Sequence, residues 1–207
     1  MTVDEIVHRI RERSERLASG LPVSQPPLGS DFSLNGVIPQ PESYRAASVL
    51  IPLVNHAEGL AVLLTQRTDD MPSHAGQIAF PGGRQQAEDS DAVATALRET
   101  EEEVGLAADR IEILGELADY ETVTGYRVTP VVGWVEPPFT LATDPIEVAE
   151  AFEVPLAFVL DPANQQRHYR MLGELRRDFW AIPWRDRYIW GATAAMLLIL
   201  DRTLRAD

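Results

Sequence analysis

Residues 96–106 read Ala-Leu-Arg-Glu-Thr-Glu-Glu-Glu-Val-Gly-Leu, and a turn-like stretch upstream, residues 80–84, reads Phe-Pro-Gly-Gly-Arg. The longer stretch predicts a helix whose small and apolar residues pack on a sheet. Ser90 or Asp91 is the expected N-cap, because either side chain can accept a hydrogen bond from the first turn. Gly105 is expected to end the helix, since glycine readily adopts the left-handed conformation found at such ends.

Three carboxylates of this helix share one face. Glu99, Glu102 and Glu103 stand at positions i, i+3 and i+4, so their side chains point to the same region of space. Each like-charge pair destabilises the helix by roughly a few tenths of a kcal/mol, and a hard divalent cation would turn that repulsion into binding. Oxygen ligands with no Cys or His nearby favour Mg²⁺ or Mn²⁺ over zinc.

Two neighbouring features fit the same chemistry. Arg98 points to an adjacent face of the helix, where a guanidinium can hold carboxylates in a fork and orient a ligand. Residues 81–83, Pro-Gly-Gly, predict a turn at which backbone atoms can approach a metal or a phosphate closely. Most acidic side chains on helices are simply solvated, and Glu101, Glu112 and Glu116 are interpreted in that way.

The composition of the chain excludes several classes of protein. Its 207 residues fit one domain, and a hydrophobic share of 45% is enough for a sizeable core. Eighteen basic residues, all arginine, against 32 acidic ones give a net charge of −14, which argues against nucleic acids and membrane surfaces as partners. The lack of cysteine excludes disulfides, thiolate zinc sites and cysteine nucleophiles, and the lack of lysine excludes a Schiff base.

The termini and the apolar runs bear on location. The first sixteen residues are rich in charge and have no apolar signal-peptide core. The longest apolar run, residues 192–200, is too short for a membrane span of ~20 residues. We therefore expect a cytoplasmic location.

The order of predicted elements favours an α+β fold, a mixed-sheet sandwich, over a doubly wound fold. An amphipathic helix over residues 3–18 and a proline-rich arm form a first unit, residues 1–44, and the core domain covers residues 45–207. Strands are predicted at 46–54 and 60–65, which form a hairpin, and near 78–80, 111–117, 128–135, 167–171 and 178–183. Further helices are predicted at 155–160 and 187–204.

Residues 82–106 resemble the Nudix box of the Nudix hydrolases. The resemblance implies a loop–helix–loop beneath a mixed sheet in an α/β/α sandwich, and cleavage of pyrophosphate bonds in nucleoside diphosphate derivatives with Mg²⁺ or Mn²⁺. It makes Arg98 the orienting arginine. It assigns metal binding to four positions of the box: Gly83, Glu99, Glu102 and Glu103.

The chain departs from the box at its first acidic position. The family has a Glu eight residues before the arginine, where this chain has Ser90, and the spacing from Gly83 to Arg98 is one residue longer than usual. Three nearby acids are alternatives for the missing one: Glu88, Asp89 and Asp91.

Four flanking stretches are similar to the coenzyme A pyrophosphatase branch: residues 63–67, 76–83, 122–133 and 189–193. They imply that coenzyme A or its thioesters are hydrolysed to 3′,5′-ADP and 4′-phosphopantetheine or its acyl form. Two residues of the branch's signature differ, since Thr68 stands for Ser or Ala and Pro72 for a second arginine.

The substrate contacts and the general base stay open at this stage. Arg67 is the preferred phosphate-binding cation, Arg84 or His74 compensates for Pro72, and Tyr126 either stacks on adenine or packs in the core. Glu99 or Glu102 is the expected general base, with Glu121 a weaker alternative. Trp180, Trp184 and Trp190 are interpreted first as core or interface residues.

Other functions remain as alternatives to coenzyme A hydrolysis. The nearest is a Nudix hydrolase of another nucleoside diphosphate derivative, such as ADP-ribose or a dinucleoside polyphosphate. A different class is a catalytically silent nucleotide-binding module, although all three helix carboxylates are present. The expected partner is a small nucleotide, and a homodimer is expected from the resemblance alone.

Overall fold

A computed structural model describes residues 1–20, 30–35, 42–71 and 73–205. Most of the proline-rich arm and Pro72 lie outside the described residues. The four helices of the described part are α1 (Val3–Ala18), α2 (Ala92–Val104), α3 (Leu156–Val159) and α4 (Ala192–Arg205). The strands are β1 (Arg45–His56), β2 (Gly59–Arg67), β3 (Ile78–Ala79), β4 (Gly82–Arg84), β5 (Ile111–Glu116), β6 (Tyr120–Glu121), β7 (Tyr126–Val135), β8 (Val148–Pro155), β9 (Gln166–Leu172), β10 (Leu175–Trp184) and β11 (Arg187–Trp190).

Two sheets organise these strands. The larger has eight strands, with a path β3-β2-β1-β7-β5 to which β4 adds beside β1, β6 beside β7 and β8 beside β2. The sheet is mixed, because β1 and β7 run parallel while their other neighbours run antiparallel. The smaller sheet is antiparallel, in the order β11-β10-β9. The hairpin predicted between the first two strands is confirmed by the pairing of His56 with Gly59.

Both faces of the large sheet are buried. In β1, Ile51 and Leu53 belong to a cluster that includes residues of α1 and α4, while Leu50 and Val54 belong to a second cluster with residues of α2. Successive residues of a strand point to opposite faces, which is why one apolar run supplies both clusters. The predicted α+β fold, with helices on both sides of a mixed sheet, is thereby confirmed.

The N-terminal helix packs on the large sheet. Thr2 and Glu5 form a capping box at its start, and Ile6 and Ile10 are buried in the main cluster. The helix predicted over residues 3–18 is confirmed. The division of the chain between residues 44 and 45 stays a prediction.

The prediction for the last helix is wrong at its start. Residues 187–190 form β11, and the helix begins only at Ala192. Gly191 separates them with φ +66°, a left-handed conformation in which no right-handed helix can continue. Strand β8 was not predicted, although three of its residues, Val148, Phe152 and Val154, are buried with less buried residues between them.

Helix α2 is closed at both ends as its sequence requires. Asp91, one of the two predicted caps, accepts a hydrogen bond from the Ala94 N–H at 2.8 Å. Gly105 ends the helix with φ +68°. Thr100 and Ala96 are fully buried on the sheet side, so the helix has one fixed rotation and presents its glutamates toward β4. None of the described helices combines the length and hydropathy needed to cross a membrane.

Candidate active site

Glu103 is the most deeply buried carboxylate of the helix, with 5% of its surface exposed. It accepts a hydrogen bond from the Gly82 N–H at 3.3 Å, at the first residue of β4. Burial, which penalises the charged form, raises the pKa of Glu103 to about 7. A buried carboxylate with this pKa can exchange its proton for a metal cation near neutral pH.

Glu99 packs directly on the backbone of β4. A methyl group placed on Gly83 would lie 2.5 Å from the Glu99 carboxyl group, so only glycine leaves room for that group. Burial raises the pKa of Glu99 as well, against the opposing effect of Arg98. Glu102 lies at the rim of the group, with 58% of its side chain exposed.

A neighbouring acid holds Arg98 in place. The Asp89 carboxylate accepts hydrogen bonds from Nε and Nη2 of Arg98, both at 2.9 Å, while Nη1 reaches Glu99 at 2.9 Å and Glu102 at 3.0 Å. The Arg98 guanidinium holds the pKa of Asp89 well below its usual range. Of the three acids left open by the sequence, Asp89 is thus the partner of Arg98. The Ser90 hydroxyl instead donates to Asp91 at 3.1 Å.

The donor set of this cluster fits a hard divalent cation. The available atoms are carboxylate oxygens and the backbone of Gly83, which suit Mg²⁺ or Mn²⁺. In the described part of the chain, no three acidic or histidine side chains are grouped closely enough to ligate a metal as they stand. Glu99 and Glu102 both turn toward Arg98 instead. A metal ion bound here would have to draw both carboxylates away from Arg98, which Asp89 would still hold.

Sequence reasoning missed a fourth acid beside the cluster. Glu147, which immediately precedes β8, adds a negative charge that raises the pKa of both Glu99 and Glu103. Its backbone carbonyl accepts a hydrogen bond from the Thr68 N–H at 3.0 Å, which fixes this turn against the end of β2. No local pattern could have found Glu147, because it lies more than forty residues from the helix in sequence.

Arg67 joins the cluster to a cavity. Its Nη1 lies 3.8 Å from Oε1 of Glu103 and its Nη2 lies 4.0 Å from Oε2 of Glu147, distances too long for strong hydrogen bonds. Its Nε is buried, with no hydrogen-bond partner among the described residues. A half-buried guanidinium that makes no short hydrogen bond to the neighbouring carboxylates is suited to bind an anion.

The cavity next to Arg67 has a volume of about 340 Å³, within the range of small-molecule sites. One wall comes from the β2–β4 region and carries His74, whose Nδ1 lies 2.9 Å from Oε1 of Gln77. The opposite wall comes from the small sheet and the start of α4, and includes Trp190. Trp180 and Trp184 instead pack against the main hydrophobic cluster.

Three further residues named from the sequence lie in other surroundings. The side chain of Arg84 is exposed, and its backbone carbonyl accepts a hydrogen bond from Arg98 at 3.3 Å. Tyr126 packs against the main cluster, with the Arg45 guanidinium 4.2 Å from its ring centroid. Glu121 accepts a hydrogen bond from Arg127 at 3.0 Å.

Comparisons with known proteins bear on the family and the fold of the chain. A family model described as NUDIX domain matches residues 44–174, more than half of the chain. The chain is 40% identical over 166 residues to a Yersinia enterocolitica protein named "Uncharacterized Nudix hydrolase NudL", covering 77% of this chain and 83% of that protein. It is 41% identical over 160 residues to the protein of the same name from Escherichia coli K12, covering 75% of this chain and 80% of that one.

A solved structure supports the fold. The NUDIX domain of Shewanella oneidensis NrtR, crystallised with ADP ribose, superposes with a TM-score of 0.50 at 19% identity. The match covers 80% of this chain and 90% of that one.

Proposed function

Because the chain belongs to the Nudix hydrolase family, we propose that this metal-dependent pyrophosphohydrolase acts on coenzyme A or its thioesters. Water would add to one phosphorus of the pyrophosphate and the bridging P–O bond would break. The products would be 3′,5′-ADP and 4′-phosphopantetheine, or its acyl form. The proton released by the water would pass to a carboxylate of the site.

The observation that carries this proposal is the position of Arg67. Its guanidinium lies between Glu103 of the carboxylate cluster and a cavity of about 340 Å³. A substrate whose pyrophosphate lies at the cluster can therefore extend a bulky group past Arg67 into the cavity. Coenzyme A has such a form, with a nucleotide on one side of the pyrophosphate and a long pantetheine chain on the other.

The stretches similar to the coenzyme A branch support the same substrate. Arg67 belongs to one of them, and Gln77, Ile78 and Phe80 belong to the next; all four line the cavity. His74 also lines the cavity, where it can compensate for the arginine that the branch has at Pro72.

Each residue of the cluster has a role in the proposed reaction. Glu99, Glu102 and Glu103, with the backbone of Gly83, would hold Mg²⁺ or Mn²⁺. A bound ion of this kind lowers the pKa of water and stabilises developing negative charge. Arg98 keeps two of the glutamates oriented through its hydrogen bonds.

Residues around the cluster would neutralise the charge of the substrate and accept the proton from water. Arg67 would neutralise a phosphate oxygen, with Arg84 at the edge of the site. Glu99 and Glu102 remain candidates for the general base, and we add Glu147 because it adjoins the cluster without contacting Arg98 in the described structure. Tyr126 stays a proposed substrate contact from the sequence alone.

A turnover assay on a nucleotide panel tests the substrate. The panel contains coenzyme A, acetyl-coenzyme A, ADP-ribose and diadenosine polyphosphates, each with Mg²⁺ or Mn²⁺. We expect release of 3′,5′-ADP from coenzyme A, lost in Glu103→Gln and retained in Glu101→Gln, an exposed glutamate of the same helix. Cleavage of ADP-ribose in preference to coenzyme A would refute the substrate. No turnover of any compound by the folded enzyme would favour a silent nucleotide-binding module.

The oligomeric state and the location of the protein are proposed from the sequence. We propose a homodimer, which light scattering after size-exclusion chromatography would test. We propose a cytoplasmic location, which fractionation of the source cells would test.

A further inference from the structure

One face of the small sheet lines the cavity and carries two arginines. Arg170 of β9 and Arg177 of β10 are directly opposed in the antiparallel register, so both side chains project from the same face. Both line the cavity that Arg67 borders at its other side. This is a local concentration of positive charge in a chain whose net charge is −14.

Like charges directly opposed on neighbouring strands destabilise a sheet unless something compensates them. Arg177 is compensated by Asp31, whose Oδ2 lies 3.0 Å from Nη2. That carboxylate is itself anchored, since it also accepts hydrogen bonds from the Tyr120 hydroxyl at 2.8 Å and the Val123 N–H at 2.9 Å. Arg170 lies over Trp190, with its guanidinium carbon 5.4 Å from the ring centroid. Arg170 is exposed, and it lines the cavity.

The same face carries a row of aromatic rings. Phe179 meets Trp190 edge-on at 5.2 Å, and Tyr188 stacks beside Trp190 at 6.5 Å. Phe179 and Trp190 line the cavity. Aromatic rings beside arginines suit a ligand that has both a flat base and a phosphate, because the base stacks and the phosphate pairs with the guanidinium.

We propose that this face binds the nucleotide half of the substrate, and that Arg170 pairs with a phosphomonoester on its ribose. This inference rests on the proposed function, since it assigns the orientation of a substrate whose pyrophosphate lies at the carboxylate cluster. The nucleobase packs against Trp190 and Phe179, and Arg177, which is paired with Asp31, lines the same face. The ligand class is therefore a nucleoside diphosphate derivative with an additional phosphate on the ribose.

The charge of the face favours the nucleotide half over the pantetheine half. Pantetheine beyond its phosphate is uncharged and has no aromatic ring, so it would offer Arg170 only neutral hydrogen bonds and could not stack on Trp190. A ribose phosphate is a dianion, and pairing with arginine is the strongest contact that this face offers. The enzyme is thus expected to distinguish coenzyme A from its analogue without the 3′-phosphate.

A binding experiment tests the inference without any turnover. Calorimetric titration compares 3′,5′-ADP with 5′-AMP, which differ only in the ribose phosphate and have no pyrophosphate bond to cleave. We expect the wild-type protein to bind 3′,5′-ADP at least about tenfold more tightly, and Arg170→Gln to lose most of that preference while binding of 5′-AMP is nearly unchanged. Arg170→Lys, which keeps the charge, should retain part of the preference.

A matched control exists in the same sheet. Arg185 lies in the turn between β10 and β11 with its guanidinium 4.4 Å from the Trp184 centroid, so Arg185→Gln removes the same charge and the same kind of ring contact outside the cavity. It should keep the full preference. Equal binding of both nucleotides by the wild type would overturn the inference. An equal loss for both in Arg170→Gln, or a loss in the control, would also overturn it.

Turnover separates this inference from the proposed function. If coenzyme A and 3′-dephospho-coenzyme A are cleaved with equal kcat/KM, the proposed function stands and the inference fails. If neither is cleaved but 3′,5′-ADP binds through Arg170, the face is a binding site for nucleoside phosphates and the proposed function fails.

Discussion

Asp89 and Arg98 form a two-point ion pair, with the carboxylate of Asp89 accepting from both Nε and Nη2 of Arg98 at 2.9 Å. The pair leaves only Nη1 of Arg98 for the helix glutamates. The angle at which Arg98 meets Glu99 and Glu102 is therefore set from outside the helix. Planar bidentate pairing of this kind fixes orientation as well as distance.

Replacing Asp89 should disturb the metal site without touching a metal ligand. We expect Asp89→Asn to weaken Mn²⁺ binding by roughly 10–100-fold, the usual effect of removing a residue that orients metal ligands. Calorimetric titration with Mn²⁺ measures the change. Glu88→Gln, an exposed acid next in the chain, is the matched control and should bind Mn²⁺ as the wild type does. Equal affinities in both variants would contradict the role of Asp89.

Glu103 should make the stability of the metal-free protein depend on pH. Its pKa is raised from the ordinary 4.5 to about 7, so between these values the folded protein keeps a proton that the unfolded chain releases. The free energy of unfolding should therefore fall as pH rises from 4.5 to 7, by on the order of 3 kcal/mol. Glu103→Gln has no such proton and should lack this component.

Urea unfolding in the presence of a chelator, at intervals from pH 5 to pH 8, measures this effect. The quantity to follow is the difference between wild type and Glu103→Gln, because groups remote from Glu103 titrate equally in both proteins. Parallel curves over the whole range would show that Glu103 ionises normally. Saturating Mn²⁺ should reverse the trend for the wild type, since the metal binds the carboxylate.

A side chain at position 83 should weaken metal binding through Glu99, because the backbone of Gly83 itself is kept. The methyl of Gly83→Ala would meet the end of the Glu99 side chain, which can swing away, so the fold should survive while Mn²⁺ affinity falls by roughly 10–100-fold. A double-mutant cycle with Glu99→Ala is the test. Once Glu99 is truncated, Gly83→Ala should have no further effect on affinity. Additive losses in the double variant would show that the glycine matters for another reason.

Asp31, which lies in the segment from Ser30 to Asn35, should contribute to the stability of the fold. It accepts hydrogen bonds from Tyr120, Val123 and Arg177, so we expect Asp31→Asn to lower the free energy of unfolding by about 1–3 kcal/mol. Asp119→Asn is the control, because that exposed carboxylate bonds only to Thr129 in the described structure and should cost less than about 0.5 kcal/mol. Urea unfolding measures both. Equal costs would mean that Asp31 does not hold the segment in place.

The part of the site that lies on α2 could be predicted, because its geometry is local. Glu99, Glu102 and Glu103 share a face wherever that helix lies, and Gly105 ends it for reasons present in the sequence. From the sequence, the acid that takes the place of the missing box Glu could be narrowed only to three residues, Glu88, Asp89 and Asp91. Which of these acids meets Arg98 depends on how the loop before Asp91 folds back on the helix. The spacing of residues in the sequence does not reveal that path.

The cavity could not be predicted in the same way. Arg170 and Arg177 look like surface residues of two separate strands until the register of β9 and β10 brings them together. Glu147 reaches the cluster only because β8 pairs with β2. The wrong start predicted for the last helix, at residue 187, has a similar origin. Ile189 fits the apolar spacing of α4, but the left-handed conformation of Gly191 prevents one helix from running through both.

The segment from Ser30 to Asn35 contributes Asp31 to the cavity, although it lies outside the part of the chain that the family model matches. The NUDIX match spans residues 44–174 and contains the whole carboxylate cluster. Much of the cavity wall lies outside that span: Asp31, Arg177, Phe179, Trp190, Thr193 and Met196. The proposed reaction therefore depends on one stretch of sequence, whereas the proposed substrate cavity also depends on the stretches that flank it. In a chimera that exchanges only the outer stretches between two such enzymes, we expect the substrate preference to shift while each keeps its own carboxylate cluster, Arg67 and Arg170.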